Sequence, residues 1–190
     1  MALTPLSIEG LFILEAPVWP DERGFFREWF SADDFKSVGA TYEIKQANFS
    51  QSKKNVVRGL HYSVATEGQA KIVNCVFGSV LDVVVDIREG SPTFGIVETI
   101  PLSADKGIVA VLPVGVAHGF SVLSESAGVA YLLSSPFTPS AELGITPLDS
   151  ELGIEWGIHG DAILSEKDRT APTLSERAAA GELPKFSTPR

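Results

Sequence analysis

Three histidines, His61, His118 and His159, are the only imidazoles in this chain of 190 residues, and they bound the chemistry open to it. A tetrahedral metal centre needs several N, O or S donors converging on one point. His61 is followed by Tyr62 and Ser63 rather than by a second histidine, so a three-histidine centre would have to draft His159 from an unrelated loop, and no metal site is expected. The single cysteine, Cys75, lies in the apolar run Ile72-Val-Asn-Cys-Val-Phe-Gly, the setting of a small buried thiol rather than an activated nucleophile. Acid–base chemistry remains. An imidazole titrates near neutrality and is held in one tautomer by a carboxylate, which makes His61 the candidate base. Lys71, ten residues further on at the head of an apolar run, offers a fixed charge of the kind that stabilises a developing oxyanion; its plainer reading is an edge-strand lysine.

The elements that must carry these groups read as strands. From about Leu11 onward, short apolar runs alternate with turn signals at intervals of roughly 8 to 12 residues, the pattern of an all-β sandwich or barrel. The clearest runs are Lys71 to Phe77, Ser79 to Ile87, Ile96 to Leu102, Ile108 to Leu112 and Gly128 to Leu133. Punctuation falls at Phe77-Gly78, Glu89-Gly-Ser-Pro92, Ala104-Asp-Lys-Gly107 and Ser135-Pro136. In the second run Leu81, Val83, Val85 and Ile87 share one face, while Val80, Asp82, Val84 and Asp86 share the other. That second face lines either a polar cavity or ordinary solvent. Two short peripheral helices are predicted: one from the N-cap signal at Ser31-Ala-Asp-Asp-Phe35, one from the capping-box spacing Thr173-Leu-Ser-Glu176 ahead of Gly181. The segment from Ser165 is polar and loop-like, and either folds back over the barrel or hangs free.

Composition narrows the function classes. A hydrophobic content of 44% over this length supports one core, so a single domain over residues 1–190 is expected. The formal charge of -9 opposes a nucleic-acid partner, whose binders display clustered basic faces. No apolar stretch reaches the roughly 18 residues that span a bilayer, and the N-terminus lacks the pattern of a secretory signal, so a soluble, cytoplasmic protein without a membrane partner is expected. An anionic small ligand stays compatible with this charge if a few cations gather in one pocket.

Gly107, five residues, then Pro113-Val-Gly-Val-Ala-His118 resembles the second motif of the cupin superfamily, small double-sheet jelly rolls with a ligand or metal inside. Further segments together resemble one metal-free cupin family, the dTDP-4-dehydrorhamnose 3,5-epimerases. They are Asp21-Glu-Arg-Gly-Phe-Phe-Arg-Glu28, Gln46-Ala-Asn48, Val57-Arg-Gly-Leu-His-Tyr62, Gln69-Ala-Lys71, Asp82 through Gly95, Pro113 through Phe120, Glu151 through Trp156 and Leu164-Ser-Glu-Lys-Asp168. The resemblance implies a cupin-type jelly roll, no cofactor, a homodimer, and a dTDP-linked 4-keto-6-deoxyhexose inverted at C5, C3 or both by deprotonation and reprotonation beside the C4 ketone.

Carried over residue by residue, the resemblance makes His61 the base with Asp168 behind it, Tyr131 the proton donor and Lys71 the enolate partner. A phenol suits the donor task because it stays protonated at neutral pH while sharing its proton across a short hydrogen bond. Arg23, Arg58 and Lys167 match positions that contact the anion, where guanidinium groups pair bidentately with phosphate oxygens. Glu28, Gln46 and Asn48 match polar contacts to sugar and base, with His118 and Glu142 as further lining. One departure stands out. Where the family commonly has a second tyrosine after the donor, this chain reads Tyr131-Leu-Leu-Ser-Ser-Pro-Phe137, without the second hydroxyl. That position lies close to the sugar in the family, so a single-centre 3- or 5-epimerase of an antibiotic deoxysugar pathway is the alternative. A ketoisomerase or a non-catalytic sugar-binding cupin would fit the same fold, but the retained His61, Tyr131 and late Lys167-Asp168 favour the epimerase.

Overall fold

The computed structural model describes residues 3–37 and 41–187. The N-terminal strands are β1 (Leu3–Pro5), β2 (Phe12–Glu15), β3 (Trp19–Asp21) and β4 (Gly24–Phe26), followed by helix α1 (Ala32–Ser37). The barrel strands are β5 (Gln46–Lys53), β6 (Val57–Ser63), β7 (Lys71–Phe77), β8 (Ser79–Val85), β9 (Val97–Ser103), β10 (Ile108–Leu112), β11 (Ala117–Val122) and β12 (Ser126–Leu133). A short β13 (Glu142–Gly144) and the helices α2 (Glu166–Arg169) and α3 (Leu174–Ala179) complete the described chain.

Two antiparallel sheets face each other. One runs β1-β2-β10-β7-β12-β5 and the other β13-β6-β11-β8-β9, while β3 and β4 form a separate hairpin. This is a double-sheet jelly roll, the all-β architecture expected. Strand alternation explains how both faces of the sheets are used. On β8, Val80 and Val84 join the core between the sheets with Val73, Cys75, Leu112 and Val129. The opposite face, Val83 and Val85 with Ile87 beyond the strand end, packs under Trp156, Leu174 and Leu183 of the C-terminal segment. The outer face of the other sheet, through Ile72, Val109 and Val111, is covered by Phe35, Trp29 and Phe30. Cys75 is fully buried and its thiol is pushed up to about 11, first by burial, so it behaves as a core side chain.

The polar face of β8 is not a solvent face, because Asp82 and Asp86 are both fully buried. The strand ends at Val85, and Asp86 opens a tight knot. Its carboxylate accepts from Arg88 Nε at 2.8 Å and Nη2 at 2.7 Å, from Ser91 Oγ at 2.6 Å and from Thr93 Oγ1 at 2.6 Å. Burial alone would raise this carboxyl, but the guanidinium and the hydroxyls outweigh it and bring it down to about 2. Arg88 in turn lies over the Phe186 ring at 5.0 Å and thereby anchors the C-terminal segment to the barrel.

The polar C-terminal segment folds back in two short helices rather than one loop. Ser165 caps α2 by accepting from the Asp168 N–H, and Thr173 and Glu176 form the reciprocal capping box of α3. Among the described residues no helix is long and apolar enough to cross a membrane.

Asp86→Asn leaves the Arg88 charge buried without its partner and is expected to cost about 3–5 kcal/mol in chemical denaturation. Because the folded carboxyl sits below its ordinary value, its stabilisation is present above that value and disappears as pH falls toward about 2. The wild-type protein should therefore lose stability more steeply than the variant over the acid range below about pH 4.

Candidate active site

A cavity of about 470 Å³ opens between the two sheets at one end of the barrel. Its inner end continues into a recess of about 150 Å³ that shares Arg58, His61, Lys71 and Tyr131 with it. The two walls come from different sheets: β6 supplies Arg58 and His61, while β7, β12 and β5 supply Lys71, Tyr131 and Asn48. Register explains the second wall. Tyr131 pairs with Val73 on β7 and with Asn48 on β5, and Leu133 pairs with Lys71, so pleating turns Asn48, Tyr131, Leu133 and Lys71 to the same interior face.

The first wall needs an irregularity. Residues three apart on a regular strand point to opposite faces, yet Arg58 and His61 both line the cavity. β11 meets β6 at His118↔His61 and Phe120↔Arg58, so three residues of β6 answer two of β11, a bulge that re-aims one side chain. Gly59 lies inside it at φ 111°, where a Cβ would come within 2.6 Å of Gly119 Cα and of the His118 carbonyl oxygen. Only glycine fits there.

His61 Nε2 lies 2.7 Å from Asp168 Oδ1. An ionised carboxylate only accepts, so Nε2 carries the hydrogen and Nδ1 is left as the basic nitrogen. Asp168 is buried while the His61 side chain is 40% exposed, so the imidazole faces the cavity and its partner stands behind it. Burial would raise the Asp168 carboxyl; the hydrogen bond and charge of His61, the Ser165 hydroxyl and the Gly59 N–H outweigh burial and hold it below the usual carboxylate range. The dyad thus depends on the same glycine that makes the bulge.

Lys71 is buried, with Nζ 3.5 Å from the His61 carbonyl oxygen. Burial pushes its ammonium downward, and Glu142 and Asp82 push back. Glu142 lines the cavity from β13 and accepts from Gln69 Nε2 at 3.4 Å. Arg58 donates to Ser52 Oγ at 2.9 Å, and Lys167 joins the rim from α2. Gln46 stands one step back: its Nε2 donates to Asn48 Oδ1 at 2.9 Å, and its Oε1 accepts from the Phe137 N–H at 2.8 Å. Phe137 itself lines the cavity, 54% exposed. His118 does not reach the outer cavity; it fronts the inner recess, with Nε2 2.7 Å from Asp82 Oδ1.

Two further predicted contacts, unlike Gln46 and His118, do not adjoin the cavity at all. Arg23 is on the β3–β4 hairpin, 84% exposed and paired with Asp21 at 2.5 Å, and Glu28 is exposed just beyond it. The hairpin pairs with neither barrel sheet, so nothing within the chain carries these residues to the cavity. Sequence reasoning passed over Ser52 and gave no role to Ser165 or Gln69, though both lie in the resembling segments; the three orient Arg58, Asp168 and Glu142. For Ser165 the N-cap spacing Ser165-Glu-Lys-Asp168 was a further signal.

A jelly roll whose ligand-sized cavity opens between its sheets is a cupin-type barrel, the class this fold and site define. The family model for dTDP-4-dehydrorhamnose 3,5-epimerase matches residues 5–176. A dTDP-4-dehydrorhamnose 3-epimerase of Streptomyces niveus is 42% identical over 99% of this chain and 91% of its own length. The crystal structure of a 4-keto-6-deoxy sugar epimerase from the novobiocin biosynthetic gene cluster of Streptomyces spheroides superposes with a TM-score of 0.94 at 41% identity, covering 100% of this chain and 96% of that one. That of dTDP-6-deoxy-D-glucose-3,5-epimerase from Legionella pneumophila, in complex with dTDP-4-keto-L-rhamnose, gives 0.92 at 40% identity, covering 98% and 99%. The chain belongs to the dTDP-4-dehydrorhamnose 3,5-epimerase family.

Gly59→Ala should lower stability by about 2–3 kcal/mol, combining a left-handed backbone with a clash against β11. Gly90→Ala, at φ 82° with open space around it, should cost only about 1 kcal/mol. Equal losses in thermal or denaturant unfolding would contradict the close-packed bulge.

Proposed function

We propose that this chain epimerises a dTDP-linked 4-keto-6-deoxyhexose at a carbon beside the C4 ketone. The observation that carries the reading is the placement of the His61–Asp168 pair on one wall of the cavity and Tyr131 on the wall opposite. His61 Nδ1 removes the proton, and Asp168 stabilises the resulting imidazolium and fixes its tautomer. The electron pair moves to the carbonyl oxygen, where the Lys71 ammonium meets the enolate charge. The Tyr131 hydroxyl returns a proton to the other face, which inverts the carbon.

Arg58 and Lys167 hold the diphosphate at the rim, and Asn48, supported by Gln46, meets the sugar or base. Glu142 and His118 complete the polar lining at the outer and inner ends. We assign Arg23 and Glu28 to the cavity of a second copy in a homodimer. Trp19, Phe25 and Phe26 of their hairpin are 51%, 46% and 68% exposed, an apolar surface that a second subunit would cover. A second reading, inversion at one centre only, is favoured by Phe137, which offers the cavity a phenyl ring without a hydroxyl.

Incubation with dTDP-4-keto-6-deoxyglucose in heavy water is expected to place deuterium at C3, C5 or both, read by NMR of the sugar. Label at one carbon selects the single-centre reading, and label at neither contradicts the proposal. His61→Ala should lose exchange by about 10⁴-fold or more, since base catalysis and orientation vanish together. For the dimer, mixing inactive Arg23→Ala and His61→Ala subunits should restore part of the activity, because one hybrid cavity regains both residues. No recovery, with hybrid dimers verified, would confine Arg23 to its own chain.

A further inference from the structure

Asp82 is a carboxylate with no exposed surface, set on β8 between Val80 and Val84, both in the core between the sheets. A buried carboxylate is retained only when other groups compensate its charge. One oxygen is satisfied: Oδ1 lies 2.7 Å from His118 Nε2. The other, Oδ2, has no hydrogen-bond partner among the described residues, so it acts through space. Lys71, itself buried and weakly hydrogen-bonded, lines the same recess as His118, which sets a cation beside the His118–Asp82 pair. Apolar side chains fill this face of the strand on either side, and a valine-sized residue would be less costly for the fold.

Resting on the epimerase reading above, we propose that Asp82 is a positioning residue of the site. It touches no substrate, holds His118 as an Nε2–H donor at the inner recess, and supplies the unscreened negative charge that keeps Lys71 an ammonium facing the enolate. The charged and titratable groups around Lys71 are Arg58 and His61 from β6, Asp82 from β8, His118 from β11, Tyr131 from β12 and Glu142 from β13, with Lys167 at the rim and Asp168 behind His61, both from α2. Of the carboxylates, Glu142 lines the open cavity and is screened by water and ions there, whereas Asp82 is sealed from both. Glu142 is the larger support of the ammonium and Asp82 the second, but only the Asp82 charge is fixed out of reach of water and salt.

The test is Asp82→Asn, which keeps the shape and an acceptor oxygen but removes the charge. Removing a nearby anion favours the neutral amine, so activity that needs a charged Lys71 is lost at lower pH as pH rises. The alkaline limb of the kcat profile for solvent exchange should move to lower pH, with kcat down about 10²-fold and the dTDP dissociation constant unchanged within about twofold, since the rim cations are untouched. An alkaline limb that stays in place, at whatever kcat, overturns the assignment, as a purely structural role would leave it there. A measurement on the wild-type protein is independent of that variant's folding and of catalysis: the ¹⁵N spectrum of His118 should show Nε2 protonated near neutrality. A proton on Nδ1 alone would mean Asp82 is not the acceptor and would overturn the proposal. Absence of exchange by the wild-type enzyme, with Nε2 protonated, would instead sink the epimerase reading and leave the His118–Asp82 geometry standing.

Discussion

A hydrogen bond of 2.7 Å joins His61 on β6 to Asp168 on α2, 107 residues apart in sequence, and most of the molecule serves to make it possible. The imidazole points into the cavity only because the bulge at Gly59 re-aims it, and the bulge closes only because glycine tolerates the approach of β11. The carboxylate is in place only because the C-terminal segment folds back. That return is secured by apolar packing of Trp156, Leu174 and Leu183 on the outer face of β8, and by the Asp86–Arg88 knot under Phe186. Local geometry, core packing and buried charge thus converge on one pair of atoms.

Electrostatics set the second constraint. The chain carries a formal charge of -9, yet its cavity gathers the three cations Arg58, Lys71 and Lys167 against the two carboxylates Glu142 and Asp168. An acidic surface and a cationic pocket are compatible because charges beyond a Debye length are screened in solution, whereas groups held inside a low-dielectric barrel are not. The buried carboxylates Asp82, Asp86 and Asp168 each face a cationic or protonatable partner, and each organises a different part of the protein: the inner recess, the C-terminal anchor and the dyad.

How much of this could be read in advance follows from the physics of each segment. β7 and β10 have apolar side chains on both faces and were delimited from their runs alone. β5, with the sequence Gln-Ala-Asn-Phe-Ser-Gln-Ser-Lys, and β6, with its internal glycine, carry the site and lack such runs, because one face of each meets a polar cavity. Asp168 had no local signal; a turn aspartate and a buried dyad partner look alike until the fold brings His61 beside it, and only the family resemblance pointed to it. Arg23 and Glu28 mark the opposite limit, since the sequence match placed them at the site but no contact within the chain brings them to the cavity.

In the proposed mechanism labour is divided: His61 removes the proton and Tyr131 returns one from the other wall. Tyr131→Phe separates the two steps, because it leaves the base, its carboxylate and the Lys71 ammonium intact. In heavy water this variant should still exchange the substrate hydrogen for deuterium, while the labelled carbon keeps its original configuration and inverted product falls by about 10²-fold or more. Inverted product formed at the wild-type rate would show that another group returns the proton, and the account of two facing walls would fail.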